Sequence, residues 1–445
     1  MERTFIGELG KHVGEKVTIN GWVSVRRDQG KMIFFDFRDM TGTVQALVLP
    51  QSEAMPVAKD VTLETAVEVS GIINKRPEKN VVAGKPNGDI ELLIEGMTVL
   101  NAAQTLPFQL DAELNLDTYL DNLPLVLKSE RTRQIFTMQA SILDTYRSSL
   151  KARGFTEFVA PALVGSDAEG GAAVFKVEYF KDHSAYLATS PQLYKQIMTG
   201  AFERAFTIAK VFRAEKSATT RHISEITQMD FEMAFIKDER EVMKELQTTV
   251  QDVVKKVGEL HADVFATFKT TVPLAPAEFP VFTLAEAQAI VAKEHNRTIE
   301  DTTDMSPEDE RQICEYAKTK FGSDFVFITR FPTKKRAFYT YEEPSEAPYS
   351  RGFDLLFRGL EINSGAQRIH NYESLVERII ERGMDPEKFS YYLQTFKYGI
   401  PPHGGCSTGL ERFTGRMLEL ANVKEATAFP RDMGRIDNRL SSSEV

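Results

Sequence analysis

Phe212-Arg213-Ala214-Glu215-Lys216-Ser217-Ala218-Thr219-Thr220-Arg221-His222-Ile223-Ser224-Glu225-Ile226-Thr227-Gln228-Met229-Asp230-Phe231-Glu232 is the stretch on which the reading of this chain turns. Arg213 and Glu215 stand two residues apart, so an extended strand shows them on one side. A polar loop follows and carries a second cationic pair, Arg221-His222, before a run containing Asp230 and Glu232. An arginine for a phosphate, a carboxylate for an exocyclic amine and further cations for distal phosphates are the parts of a nucleotide site.

Outward from that stretch, the chain has 445 residues, enough for two or three domains. It is 42% hydrophobic and 27% charged, so sizeable cores are expected. The net charge of −10 argues mildly against nucleic-acid binding by bulk attraction, but local arginines can still meet phosphates. No apolar run approaches the ~18 residues of a membrane span. Met1-Glu2-Arg3-Thr4 opens no signal peptide, and Cys314 and Cys406 match no metal spacing, so a reducing cytoplasm is expected.

Residues 1–103 read as all-β. Five strand-like runs, 17–25, 31–39, 43–49, 66–73 and 90–100, are separated by Gly30, Gly42, Pro77, Gly84 and Gly88. Five short strands suit an oligonucleotide-binding barrel, and any other small β-barrel equally well. Residues 104–128 are polar with little periodicity and read as a hinge. Residues 129–445 mix helix and strand, an α+β domain. It opens with a helix in which Ile135, Met138, Ile142, Leu143, Tyr146 and Leu150 recur at helical spacing until Gly154. Residues 155–161 are then extended. A less regular segment at about 267–335 includes a helix opened by Ser306-Pro307-Glu308-Asp309. It fits either a substrate-gating or tRNA-facing insertion or a solvated peripheral subdomain.

The chain resembles the aspartyl-tRNA synthetases of the shorter, archaeal and eukaryotic type over nearly its whole length. Residues 130–161 resemble the first class II motif, residues 212–235 the second, and Gly404-Gly405-Cys406-Ser407-Thr408-Gly409-Leu410-Glu411-Arg412 the third. The resemblance implies an N-terminal OB-fold anticodon-binding barrel, a class II antiparallel sheet flanked by helices, a homodimer and two-step chemistry. Aspartate attacks ATP to give aspartyl-adenylate, and a ribose hydroxyl at the 3′ end of tRNA takes the acyl group. Positioning and electrostatics rather than a covalent nucleophile would carry both steps.

By that resemblance Arg213 and Arg412 are catalytic, and ATP meets Arg213, Ala214, Glu215, Arg221, His222, Ile223, Glu361, Gly409, Leu410, Glu411 and Arg412. Aspartate meets Glu169, Gln192, Leu193, Tyr194, Lys195, Arg213, Asp230, Ser364 and Arg368. Asp230 and Glu232 would hold the ammonium or act as structural acids. Mg2+ meets Asp354, Glu361 and Ser364, hard oxygen donors suited to that ion. The anticodon meets Phe34, Gln45 and Glu91, a stacking ring beside two groups for base edges, while Arg26, Arg27 and Arg38 supply phosphate contacts. Lys195 and Arg368 are two cations that asparagine would leave unpaired, which favours aspartate.

One departure stands at Ile226, where many relatives carry a phenylalanine that stacks on adenine. The C-terminal residues 433–445 also depart from the family, running into a serine-rich acidic tail. Ser24, where strict members often carry a bulky aromatic, points to charging of tRNA(Asn) beside tRNA(Asp), and then to a partner amidotransferase. Asparaginyl-tRNA synthetase, a paralogue that passes the adenylate to another acceptor, and a non-catalytic RNA-binding module are the alternatives.

Overall fold

The computed structural model describes residues 2–165, 173–214 and 219–440. They fall into two compact units, Met1–Ala112 and Glu113–Val445. In the first, β1 (Lys16–Asp28), β2 (Ile33–Arg38), β3 (Thr43–Val48), β4 (Ala66–Lys75) and β5 (Ile90–Asn101) close a barrel in the order β1-β2-β3-β5-β4. All five expected runs are strands. Period-two alternation decides their faces: Ile33, Phe35, Phe37, Val44, Ala46 and Val48 are buried inside, and Phe34, Asp36 and Gln45 look out. Phe35 and Phe37 stack at 5.4 Å between ring centroids. Burying each such side chain is worth about 1.5–3 kcal/mol, so a one-residue slip of β2 would forfeit both rings.

The second unit holds β6 (Thr156–Glu157), β7 (Leu163–Val164), β8 (Lys176–Glu178), β9 (Ser184–Leu187), β10 (Arg204–Phe212) and β11 (Glu225–Ala234). It continues with β12 (Val281–Thr283), β13 (Phe325–Thr329), β14 (Gly352–Phe357), β15 (Leu360–Gln367) and β16 (His403–Gly409). Eight of these make one sheet in the order β12-β13-β14-β15-β16-β11-β10-β6, and β7-β9-β8 make a smaller one. The expected antiparallel sheet is antiparallel from β13 to β10, but both outer pairs, β12 with β13 and β6 with β10, are parallel. Each parallel pair is joined through long intervening chain containing helix, as a parallel connection requires.

The Glu130–Ala152 and Glu239–Leu260 helices pack on the sheet. Ile135, Met138 and Ile142 meet Phe206, Phe231 and Val250 in its main core. Ser129 caps the first helix by accepting from the Thr132 amide at 3.2 Å, and Gly154 ends the turn after it with φ +83°, a backbone that glycine adopts freely. Residues 104–128, read as a hinge, carry two short helices, Leu116–Asp121 and Leu123–Val126, which bury Tyr119, Leu120, Leu123 and Val126. Both are too short to display a period.

Residues 267–335 are more regular than expected. Their β12 and β13 extend the main sheet, β13 being buried along its length, and the Leu284–Glu294 and Pro307–Phe321 helices share a core through Leu284, Val291, Ile313 and Val326. Ser306 and Asp309 form a reciprocal capping box with Pro307 in the first turn, the N-terminal signal read from the sequence.

Candidate active site

A cavity of about 370 Å3 opens over β11, β15 and β16. Gln192, Arg213, Arg221, His222, Ile223, Ile226, Glu361, Ser364, Arg368, Gly409, Glu411 and Arg412 all line it. Residues far apart in the chain are brought together here by antiparallel pairing: Asp230 stands opposite Ser407, and Ser407 opposite Ser364. Glu169 and Glu215 lie outside the described residues.

At one end the cations gather. Arg213 leaves β10 with its amide bonded to the Ser224 carbonyl at 2.9 Å, which carries the β10–β11 hairpin beyond its last strand pair, and the Ala214 amide turns instead to the Ala173 carbonyl, before β8, at 3.0 Å. The Ser224 amide donates to the Arg431 carbonyl at 2.7 Å, so the Phe429–Asp432 segment braces this loop. Arg221 donates to Glu310 of the Pro307–Phe321 helix at 3.0 Å, and burial pushes the Glu310 carboxyl up against the pull of Arg221. Arg412 donates to the Glu361 carbonyl at 3.0 Å. Glu411 takes the Thr227 amide on both oxygens, at 3.0 and 3.1 Å. That ties the helix after β16 to β11, and Leu410 is buried beneath it.

At the other end the charges are internal. Lys195 is wholly buried, donating to Asp230 at 2.8 Å and to the Cys406 carbonyl at 3.0 Å, with Glu232 at 3.6 Å. Arg368 donates to Glu232 at 2.8 and 3.2 Å and to the Gly405 carbonyl at 2.9 Å. Burial works to raise the Glu232 carboxyl, but Arg368 and then Lys195 outweigh it and hold it low. Burial likewise opposes the Arg368 charge, and Glu232 prevails and raises its pKa. Gly405 must be glycine: a Cβ there would meet the Phe231 carbonyl at 2.1 Å and the Glu232 carboxylate at 2.2 Å.

This corrects the expectation of two cations awaiting one substrate carboxylate. Lys195 and Arg368 are balanced by Asp230 and Glu232, because unpaired charges buried this deeply cost several kcal/mol each. Asp230 is also engaged by the Ser407 hydroxyl at 2.7 Å. Discrimination between aspartate and asparagine therefore does not follow from counting these charges. Leu193 packs on an apolar cluster beside the pocket and Tyr194 lies near Tyr391, so of the 192–195 run only Gln192 lines the cavity.

The three magnesium candidates lie together on β14 and β15, Asp354 directly opposite Ser364. Burial and then the Asp354 charge push the Glu361 carboxyl up to about 7. Two acids pressing on one another are what a divalent cation relieves, and the carboxylate and hydroxyl oxygens are of the type Mg2+ takes. These residues fit the ion. Among the described residues no group of three or more His, Cys, Asp or Glu could hold a metal, so substrate oxygens would have to complete its shell.

On the barrel, β2, β3 and β5 place Phe34, Gln45 and Glu91 on the outer face. Arg76 donates to Gln45 and to the Gly88 carbonyl and lies 3.9 Å from Glu91. Arg27 reaches Gln45 at 3.4 Å, beside a cleft of about 170 Å3 lined by Arg27, Gln45, Arg76 and Lys85. Arg38 is not available for a phosphate: it is buried, paired with Glu64 and laid over Trp22.

Sequence reasoning missed Arg336, which binds Asp354, and Glu310, which binds Arg221. It also missed His403, bonded to Gln196 at 2.8 Å beneath Arg368. Arg336 ends the basic run Lys334-Lys335-Arg336 before Phe338-Tyr339, the one local signal for it. Glu310 sits on a helix whose spacing marked only its cap.

The fold and the site together define a class II aminoacyl-tRNA synthetase. The chain belongs to the tRNA synthetases class II (D, K and N), whose family model matches residues 115–433, and the OB-fold nucleic acid binding domain model matches residues 17–100. It is 39% identical to the aspartate–tRNA(Asp/Asn) ligase of Deinococcus radiodurans, over 98% of this chain and 99% of that one. It is 40% identical to the enzyme of the same name from Thermus thermophilus, with the same coverage. Asparaginyl-tRNA synthetase from Pyrococcus horikoshii, solved with asparaginyl-adenylate, superposes with a TM-score of 0.90 at 30% identity, covering 98% of this chain and 99% of that one.

Proposed function

We propose that this chain ligates aspartate to both tRNA(Asp) and tRNA(Asn) at the expense of ATP. The convergence of Arg213, Arg221, His222 and Arg412 with Gln192, Ser364 and Arg368 on one cavity carries the reading. Both relatives at 39–40% identity bear the Asp/Asn name, and the barrel carries the small Ser24, its hydroxyl donating to the Asp36 carbonyl at 2.8 Å. No described helix is long and apolar enough to cross a membrane. The cytoplasm, a homodimer through residues 130–161, and an amidotransferase acting on the aspartyl-tRNA(Asn) product are parts of the same proposal. So is the division into a barrel at 1–103, a connecting segment and a catalytic domain.

In the first step a carboxylate oxygen of aspartate attacks the α-phosphorus and pyrophosphate leaves. Arg213 stabilises the charge at that phosphorus, with Arg221 and His222 on the departing phosphates and Arg412 braced on the Glu361 carbonyl. In the second step the terminal ribose hydroxyl attacks the acyl carbon and AMP leaves. Fixed cations in a partly enclosed pocket need little reorganisation as charge develops. Glu361, Ser364 and Asp354 would hold Mg2+, which when bound neutralises phosphate oxygens. Arg368 and Gln192 receive the amino acid, with Glu232 and Lys195 holding Arg368 and its surroundings rigid. Ile226 packs on the adenine in place of an aromatic face.

The test is aspartate attachment to two purified transcripts, one with each anticodon. Both are expected to be charged; charging of tRNA(Asp) alone would sink the dual specificity. Because Lys195 and Arg368 are internally paired and an asparaginyl enzyme superposes closely, ATP–pyrophosphate exchange is run with each amino acid. Exchange driven by asparagine rather than aspartate would overturn the substrate.

A further inference from the structure

The carboxylate pair of the pocket already has a cation beside it. Arg336 follows a short turn, Thr333–Lys335, whose backbone is pinned by Arg382: its Nη2 donates to the Thr333 and Arg336 carbonyls at 2.7 and 2.9 Å. The Arg336 guanidinium lies over the Phe331 ring, 3.7 Å from its centroid. Its Nη1 and Nη2 donate to the two oxygens of Asp354 at 2.9 and 2.7 Å, and Nη1 also donates to the Ser364 hydroxyl at 3.1 Å. Burial opposes the charge on Arg336, but Asp354 outweighs burial and raises its pKa.

Asp354 and Ser364 are two of the three groups suited to Mg2+, and both are engaged by one planar fork that matches a carboxylate on two bonds. A free divalent ion arriving here would face a cation in contact with its ligands and would also have to shed water, which Mg2+ does reluctantly. The polyphosphate of a nucleotide adds the negative charge that lets both cations remain.

We propose that Arg336 is a resident cation of this site, holding Asp354 and Ser364 until the nucleotide arrives, so that the metal binds together with the triphosphate and not before it. The inference rests on the ATP reading given above. It makes Arg336 a positioning residue and assigns metal uptake an order.

The test titrates Mn2+, a paramagnetic stand-in for Mg2+, into the full-length enzyme and follows free ion by electron spin resonance. Wild type is expected to bind Mn2+ at least tenfold more tightly with a non-hydrolysable ATP analogue than without it. Arg336→Met, without nucleotide, is expected to bind Mn2+ about tenfold more tightly than wild type, since a neighbouring positive charge is removed. Arg336→Lys should keep the wild-type pattern, and adding Asp354→Asn to the methionine variant should abolish the gain. Equal Mn2+ affinity of wild type with and without nucleotide would overturn the proposal, as would a methionine variant that folds and gains nothing. If that variant does not fold, the wild-type comparison decides alone. Equilibrium dialysis of the analogue reports separately on the ATP reading: no nucleotide binding would defeat that reading, while the nucleotide-free comparison of wild type with Arg336→Met would still stand or fall by itself.

Discussion

The outer face of the barrel and the floor of the catalytic cavity use similar side chains under opposite conditions. Phe34, Gln45 and Glu91 stand part-exposed on strands whose inward residues hold the barrel together. Gln45 and Glu91 make their contacts with Arg27 and Arg76 at the surface rather than in the core. Lys195, Asp230, Glu232 and Arg368 are buried together where the Gln192–Phe202 helix meets the sheet, and each charge depends on its neighbour. The binding groups proposed on the barrel are thus expected to be exchangeable without disturbing the fold, whereas those proposed in the cavity are at the same time part of its support.

The sharpest way to break that contrast is Glu232→Gln. It leaves Arg368 and Lys195 with one buried carboxylate between them, and a loss of about 3–5 kcal/mol in folding stability is expected, read by chemical denaturation. A loss below about 1 kcal/mol would show that water enters the site and that its charges are not interdependent.

A second break uses pH. Burial pulls the His403 pKa down to about 4, and the neutral ring is held by Gln196 and by the Pro401 carbonyl at 2.9 Å. The unfolded ring, with its pKa near 6.5, binds the proton first. Between about pH 6.5 and 4 the unfolded state thus carries more protons, and stability is lost as pH falls through that window. Wild type should lose about 2–3 kcal/mol more than His403→Gln across it. Parallel acid limbs in the two denaturation series would refute the assignment.

On the barrel, Phe34→Ala is expected to leave folding stability within about 0.5 kcal/mol of wild type. It should weaken tRNA binding by about 1–3 kcal/mol through lost stacking, with ATP–pyrophosphate exchange unchanged. A large loss of stability would place Phe34 in the core and remove the contrast. The smallest effect is expected where the two conditions meet, at the partly exposed Arg221–Glu310 pair. Glu310→Gln should raise the KM for ATP by about twofold to fivefold with kcat retained, in keeping with about 0.2–1 kcal/mol for such a pair. An unchanged KM would mean that Arg221 needs no help from the Pro307–Phe321 helix.

The barrel was legible because its information is local. Alternation around Phe34, Phe35 and Phe37 assigns the faces whichever way the strands are arranged, and five such runs make a five-stranded barrel. The helix from Glu130 was legible for the same reason, through its period and Gly154. The ends of the main sheet were not, because β6 and β12 are two and three residues long and neither displays a pattern. The short helices at 116–126 escaped similarly.

In the cavity, residue types and spacing nominated Arg213 and Arg221 for a nucleotide, and the resemblance to the family added Gln192, Ser364, Arg368 and Arg412. What those groups do to one another lay beyond the sequence. That Arg368 answers to Glu232, Lys195 to Asp230, Arg221 to Glu310 and Asp354 to Arg336 depends on distances across strands and helices far apart in the chain. Coulomb energies and hydrogen bonds fall off within a few ångströms, so the pairing of these charges was decided only when the sheet was assembled.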